Sequence, residues 1–145
     1  ILFAPIGLGL EAAIAFKAIS TMDSMIGYKK PGLKELGYAG ARLDDLANWI
    51  PARLSIILIA LARPRGARSA IREAFKYHSA TPSPNSGWPM AAAAGSLKIR
   101  LEKPGQYILL GENPNPETRD IFRATGLVQS AIALTLAAAF ICLLL

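Results

Sequence analysis

Residues 127–145 read LVQSAIALTLAAAFICLLL, 19 positions without a charge. As a helix rising about 1.5 Å per residue, this run is roughly 28 Å long, close to the roughly 30 Å hydrocarbon core of a bilayer. A core helix of a water-soluble domain keeps a polar stripe, and this run has none. It is therefore expected to be a transmembrane helix, entered near Asp120. The single cysteine, Cys142, lies inside it. That leaves no disulfide framework and no cysteine-based metal site, and makes Cys142 a small hydrophobe facing lipid or a neighbouring helix.

Composition points the same way. The chain is 52% hydrophobic and only 18% charged, with a positive mean hydropathy, which sets it apart from the average soluble domain. Residues 1–19 form a second, weaker apolar segment, interrupted by Pro5, Gly7, Gly9 and Glu11. The chain opens on Ile1 without Met and without a signal-peptide pattern, so it is expected to be a piece of a longer protein. The net charge of +6 is concentrated locally: Arg63, Arg65, Arg68, Arg72 and Lys76 face one acid, Glu73. Beside an apolar segment this cluster reads as a cytoplasmic loop in contact with anionic lipid, its residues 65–77 forming a surface helix. Nucleic acid is not an expected partner, because no aromatic and basic interleaving and no nucleic-acid module accompanies the charge.

A helix is expected from Arg42 to about Ala62, stopped by Arg63 and Pro64. At 100° per residue, Leu43, Leu46, Ala47, Ile50 and Leu54 share one arc, while Arg42, Asp44, Asp45, Asn48, Trp49 and Arg53 occupy the other. After Arg53 the sequence is apolar all round, which suits burial in protein or lipid. Pro51 removes one backbone donor and leaves the Ala47 carbonyl unpaired within the helix, a gap tolerated in a membrane protein beside another helix or a wet cavity. Elsewhere a loop is expected over 27–40, a further loop over 79–89, and a short helix of small residues after Trp88 and Pro89 that permits close backbone approach. Residues 98–120 read as an irregular peripheral excursion with a short strand at 106–110.

Three polar motifs stand among these apolar stretches: TMDSMIGYK at 21–29, ARLDDLANWIPAR at 41–53 and SPNSGWP at 83–89. Asp23, Asp44 and Asp45, near Lys29, Arg42 and Arg53, are sufficient for a magnesium and phosphate site, since magnesium takes one or two protein carboxylates and completes its shell with water and phosphate oxygens. They are equally compatible with an ion-pair network, Arg42 with Asp45 being the natural pair. In SPNSGWP, Pro84 fixes one torsion, Gly87 is able to adopt positive φ, and Pro89 suits the first helical position. Asn85 and Ser86 then either cap the helix or present donors to an anion. His78, the only histidine, reads as an exposed loop residue or a proton-transfer group. Trp49 and Trp88 read as packing or interface residues, or as a stacking surface for a planar ligand. No GxxxxGK[ST], GxSxG, HExxH or CxxC pattern occurs.

Taken together, the three motifs resemble the CobD/CbiB family of cobalamin-biosynthesis membrane proteins. The resemblance rests on Thr21, Asp23, Ser24, Met25, Gly27, Tyr28 and Lys29, on residues 41–45 with Asn48, Pro51, Ala52 and Arg53, and on Ser83 to Pro89, in matching order and spacing. Ser20 replaces a common Asn, and Met90 stands where many members carry an acid. The resemblance implies that residues 1–145 are the C-terminal part of one all-α, polytopic membrane domain. It also implies an ATP-dependent amide ligation joining aminopropanol, as its O-phosphate, to adenosylcobyric acid to give adenosylcobinamide phosphate. A carboxylate is a poor acyl donor, so phosphorylation would activate it toward the amine, a step that needs magnesium, cationic groups and precise positioning.

Residue chemistry and resemblance together assign catalysis to Asp23, Asp44 and Asp45, with Asp23 and Asp45 as magnesium ligands. They assign substrate binding to Thr21, Ser24, Tyr28, Lys29, Arg42, Asn48, Arg53, Ser83, Asn85, Ser86 and Gly87. Expected partners are the corrinoid, aminopropanol phosphate and the bilayer, and self-association is compatible with the sequence. The expected location is the cell membrane, multi-pass, with the site on the cytoplasmic side. A full crossing by residues 46–62 would put the motif loops 21–45 and 79–89 on opposite faces, so a single site requires that segment to be a re-entrant or buried amphipathic helix. The alternative class is a non-catalytic membrane subunit or a small-molecule transporter whose polar helix lines a passage.

Overall fold

The computed structural model describes residues 9–26 and 34–144. The elements are α1 (Gly9–Ile26), α2 (Lys34–Ala47), α3 (Trp49–Ala62), α4 (Ala67–Tyr77), α5 (Gly87–Leu97), a hairpin of β1 (Leu101–Lys103) and β2 (Tyr107–Leu109), and α6 (Thr118–Leu144). The protein is mostly helical, as expected, with one small antiparallel hairpin added. It divides into two compact units, residues 1–49 with 136–145 and residues 50–135.

In the first unit α1 packs against α2. Two expectations change here. The apolar segment expected to end at residue 19 continues as helix to Ile26, so Thr21, Asp23 and Ser24 sit on a helix and not in a loop. The helix expected from Arg42 begins at Lys34 and is interrupted at Asn48. The interruption falls where the missing Pro51 donor deprives the Ala47 carbonyl of its partner.

On α2 the leucines face outward with Arg42, while the two aspartates are less exposed. Leu43 and Leu46 are 45% and 73% exposed, whereas Asp44, Asp45 and Asn48 are half-buried. An apolar face left outward suits a lipid neighbour, because water would penalise it and hydrocarbon does not.

In the second unit α3 buries Ala52, Ile56, Ile59 and Ala60, which share one face, and leaves Ile57 and Leu61 exposed. The expectation that this segment is buried is therefore met on one face only. The core joins Ala52, Ile56 and Ile59 to Ala70 and Ala74 of α4, Trp88, Ala92 and Leu97 of α5, and Leu127 of α6. Ala70, Ala74, Ala91, Ala92 and Ala94 are fully buried, so the expected close approach of a small-residue helix is observed, with α4 as the partner. The 98–120 segment is less peripheral than expected. Its hairpin pairs Leu101 with Leu109, and Leu109 is completely buried in a cluster with Ala94 and Leu110.

Two stretches, Gly37–Ala62 and Thr118–Cys142, are long and apolar enough to cross a membrane. Along α6, Phe122, Val128, Ile132, Leu136 and Phe140 are all more than half exposed, and Cys142 is exposed with them.

Candidate functional site

In the first unit, the α1 motif meets the α2 motif. A Cβ added at the buried Gly40 would lie 3.4 Å from Met22 Cε and 3.7 Å from the Asp23 backbone nitrogen, so the two helices approach closely beside Asp23. Asp23 consequently lies within electrostatic reach of Asp44, which also feels its neighbour Asp45. Asn48 Nδ2 donates to the Asp44 carbonyl at 2.9 Å, continuing the turn past the end of α2. Arg42 donates through Nε to the Tyr38 hydroxyl at 3.0 Å and lies over that ring; Tyr38 is a neighbour that sequence reasoning did not identify. Ser24 Oγ donates to the Ser20 carbonyl at 2.8 Å on its own helix, and Thr21 is exposed. Tyr28 and Lys29, both expected to bind substrate, lie outside the described residues.

Among the described residues, no group of three or more His, Cys, Asp or Glu converges as a metal cage. The donor set nevertheless fits magnesium, which needs only one or two carboxylates. Asp23 and Asp44 come from adjacent helices, and carboxylates held near each other repel unless a cation or proton lies between them.

In the second unit, the end of the second motif meets the third. Arg53 Nη1 donates to Asn85 Oδ1 at 2.9 Å, and the guanidinium carbon lies 5.0 Å from the centre of the Trp88 ring. His78 stacks on Trp88 with centroids 4.0 Å apart and planes within 3°, while Phe75 meets the same indole edge-on at 5.3 Å. His78 is thus half-buried and stacked, not an exposed loop residue. Its position follows from Gly87, where an added Cβ would fall 2.0 Å from the His78 carbonyl oxygen. Gly87 is required for close approach, and its φ is not among the positive values of the described glycines, which overturns the expected role.

The loop between them is tied by its own hydroxyls. Thr81 Oγ1 donates to the Ser83 carbonyl at 3.0 Å, Ser86 Oγ donates to Thr81 Oγ1 at 3.0 Å, and the Asn85 backbone nitrogen donates to Ser83 Oγ at 3.3 Å. Ser86 occupies the N-cap of α5 without a side-chain cap bond, and Pro89 falls third in the helix, not first. Asn85 is a buried amide, 7% exposed, whose Oδ1 accepts from Arg53. Thr81 was not singled out from sequence; its position two residues before Ser83 is the signature of a hydroxyl-closed turn.

The sequence model of the CobD/CbiB protein family matches residues 1–137. A probable cobalamin biosynthesis protein CobD of Methanothrix thermoacetophila is 57% identical over 134 residues, covering 92% of this chain and 42% of the relative. The cobalamin biosynthesis protein CobD of Rhodobacter capsulatus is 42% identical over 136 residues, covering 86% of this chain and 42% of its own length. A probable CobD of Methanothermobacter thermautotrophicus is 38% identical over 142 residues, covering 95% and 48%. No solved structure matches. The fold and its polar motifs are those of a helical protein with membrane-length apolar stretches. The chain belongs to the CobD/CbiB family, and it spans less than half the length of these curated relatives.

Proposed function

We propose that this chain contributes to cobalamin biosynthesis as part of a membrane-embedded carbon–nitrogen ligase of the adenosylcobinamide-phosphate synthase type. The substrates would be a corrinoid propionate and aminopropanol phosphate, with ATP as the activating co-substrate. The observation that carries this reading is the Arg53–Asn85 bond beside Trp88, which fixes the plane of a guanidinium. A planar fork held in one orientation suits a phosphate or carboxylate, which both substrates carry.

Arg53 is assigned to the anionic group of a substrate, Asn85 and Trp88 to orienting it, and the Thr81–Ser86 loop to keeping Asn85 in place. In the first unit Asp23 and Asp45 would hold magnesium, with Asp44 between them in electrostatic reach of both. When bound, magnesium would offset the charge on phosphate oxygens during transfer. Thr21, Ser24, Tyr28, Lys29, Arg42, Asn48, Ser83, Ser86 and Gly87 complete the proposed substrate-binding set. The two apolar stretches support a multi-pass location in the cell membrane, with the chemistry on the cytoplasmic side.

The test is ATP turnover by the full-length protein in vesicles, supplied with corrinoid and amine separately and together. Hydrolysis that requires both is expected. Hydrolysis indifferent to the corrinoid, or corrinoid flux without turnover, would refute the ligase and favour the transporter.

A further inference from the structure

Among the described residues, the outer face of α4 touches the second unit's site only through Phe75, which meets Trp88 edge-on. At 100° per residue its exposed side chains form one continuous arc: Ile71 and Phe75 at one edge, then Arg68, Arg72 and Lys76. Ile71 and Phe75 are 44% and 64% exposed, and the Arg72 side chain is 76% exposed although it pairs with Glu73. The opposite face, Ala70, Glu73 and Ala74, is buried. The helix therefore has one face committed to the core and another that combines an apolar edge with three cations. It begins five residues after Ala62, the end of a membrane-length apolar stretch.

We propose that α4 is an interfacial helix that docks on an anionic bilayer surface, inserting Ile71 and Phe75 while Arg68, Arg72 and Lys76 engage lipid headgroups. Charge complementarity selects this occupant. Cationic side chains gain about 1 kcal/mol each near an anionic leaflet, and an apolar edge alongside them places its area in the acyl boundary. A protein surface with an acidic rim would also suit this arc, and it is the outcome that the quenching experiment separates from the bilayer. Phe75 also meets Trp88 edge-on, so the docked helix would hold the Arg53–Asn85–Trp88 cluster near the membrane surface. The inference rests on the membrane reading above, and the experiment separates the two.

The full-length protein, with Cys142→Ala and any cysteine outside this chain also replaced, would carry an environment-sensitive fluorophore at Phe75→Cys or, as a span control, at Leu136→Cys. Each is reconstituted in phosphatidylcholine vesicles with or without about a third phosphatidylglycerol, and bromolipid quenching is read. The expected result is quenching at position 136 in both vesicles, and quenching at 75 that rises with phosphatidylglycerol. Adding Arg68→Gln and Lys76→Gln should reduce the docking equilibrium at 75 by roughly 30-fold, the equivalent of about 1 kcal/mol per charge. No quenching at 136 would overturn the membrane reading and this inference with it. Quenching at 136 with none at 75, or equal quenching at 75 whatever the lipid charge, would overturn this inference alone; shielding at 75 without bromolipid contact would assign the face to a protein.

Discussion

Arg53 Nη1 and Asn85 Oδ1 are 2.9 Å apart, joining side chains 32 positions apart in sequence. The bond ties α3 to the loop that opens α5, and Trp88, three residues beyond Asn85, lies against the same guanidinium. A bond between a charged donor and a buried amide is stronger than a neutral one, and losing one partner leaves the other unsatisfied. This pair is accordingly where the second and third motifs can be tested most directly.

Arg53→Lys keeps the charge but not the fork, and an ammonium cannot hold Asn85 while lying flat over Trp88. With about 1.5–3 kcal/mol attached to such a charged bond, kcat/KM should fall roughly 10- to 100-fold. Unchanged substrate affinity and turnover would remove Arg53 from the site.

Asn85→Asp retains an acceptor for Arg53, so thermal stability should be kept. It also replaces an amide with a negative charge beside the proposed anion site. Binding should weaken by well over about 1 kcal/mol, read as substrate affinity in membranes. Equal affinity at equal stability would make Asn85 a purely structural residue.

Gly87→Ala forces a methyl into the His78 carbonyl. Overpacking of this kind costs about 1–3 kcal/mol or more, and here the obstacle is backbone. The melting temperature in detergent should drop by several degrees and the His78–Trp88 stack should loosen; an unaltered melting curve would show that this approach is not fixed.

Asp45→Asn should abolish product formation, and Asp23→Asn should raise the magnesium requirement roughly tenfold or more, both with membrane insertion intact. Magnesium titration of product formation reads both effects. Full activity of Asp45→Asn, or an unmoved titration for Asp23→Asn, would contradict the carboxylate assignment.

The long apolar helix is legible because an uncharged run near bilayer length has few other outcomes, and α5 because its run of alanines marks its close packing, although it starts at Gly87, two residues before Pro89. Residues 21–26 read as loop in the sequence and are helix in the structure. Thr21, Asp23 and Ser24 are poor helix formers on propensity, yet tertiary contact with α2 at Gly40 holds them helical. Residues 98–120 carry Pro, Gly and Asn, which mark turns, and this hid the burial of Leu109 against α5. The Gly87–His78 contact and the Arg53–Asn85 bond are tertiary, so neither has a periodic signal. What the sequence carries is the set of residue types, gathered in three motifs.

Mass spectrometry of the corrinoid recovered after the full-length protein has been given adenosylcobyric acid, aminopropanol phosphate, ATP and magnesium tests the central claim most directly. The expected product has the mass of adenosylcobinamide phosphate, formed only when all four are present and lost with Arg53→Lys. Recovery of unaltered adenosylcobyric acid from active, correctly inserted protein would contradict the ligase.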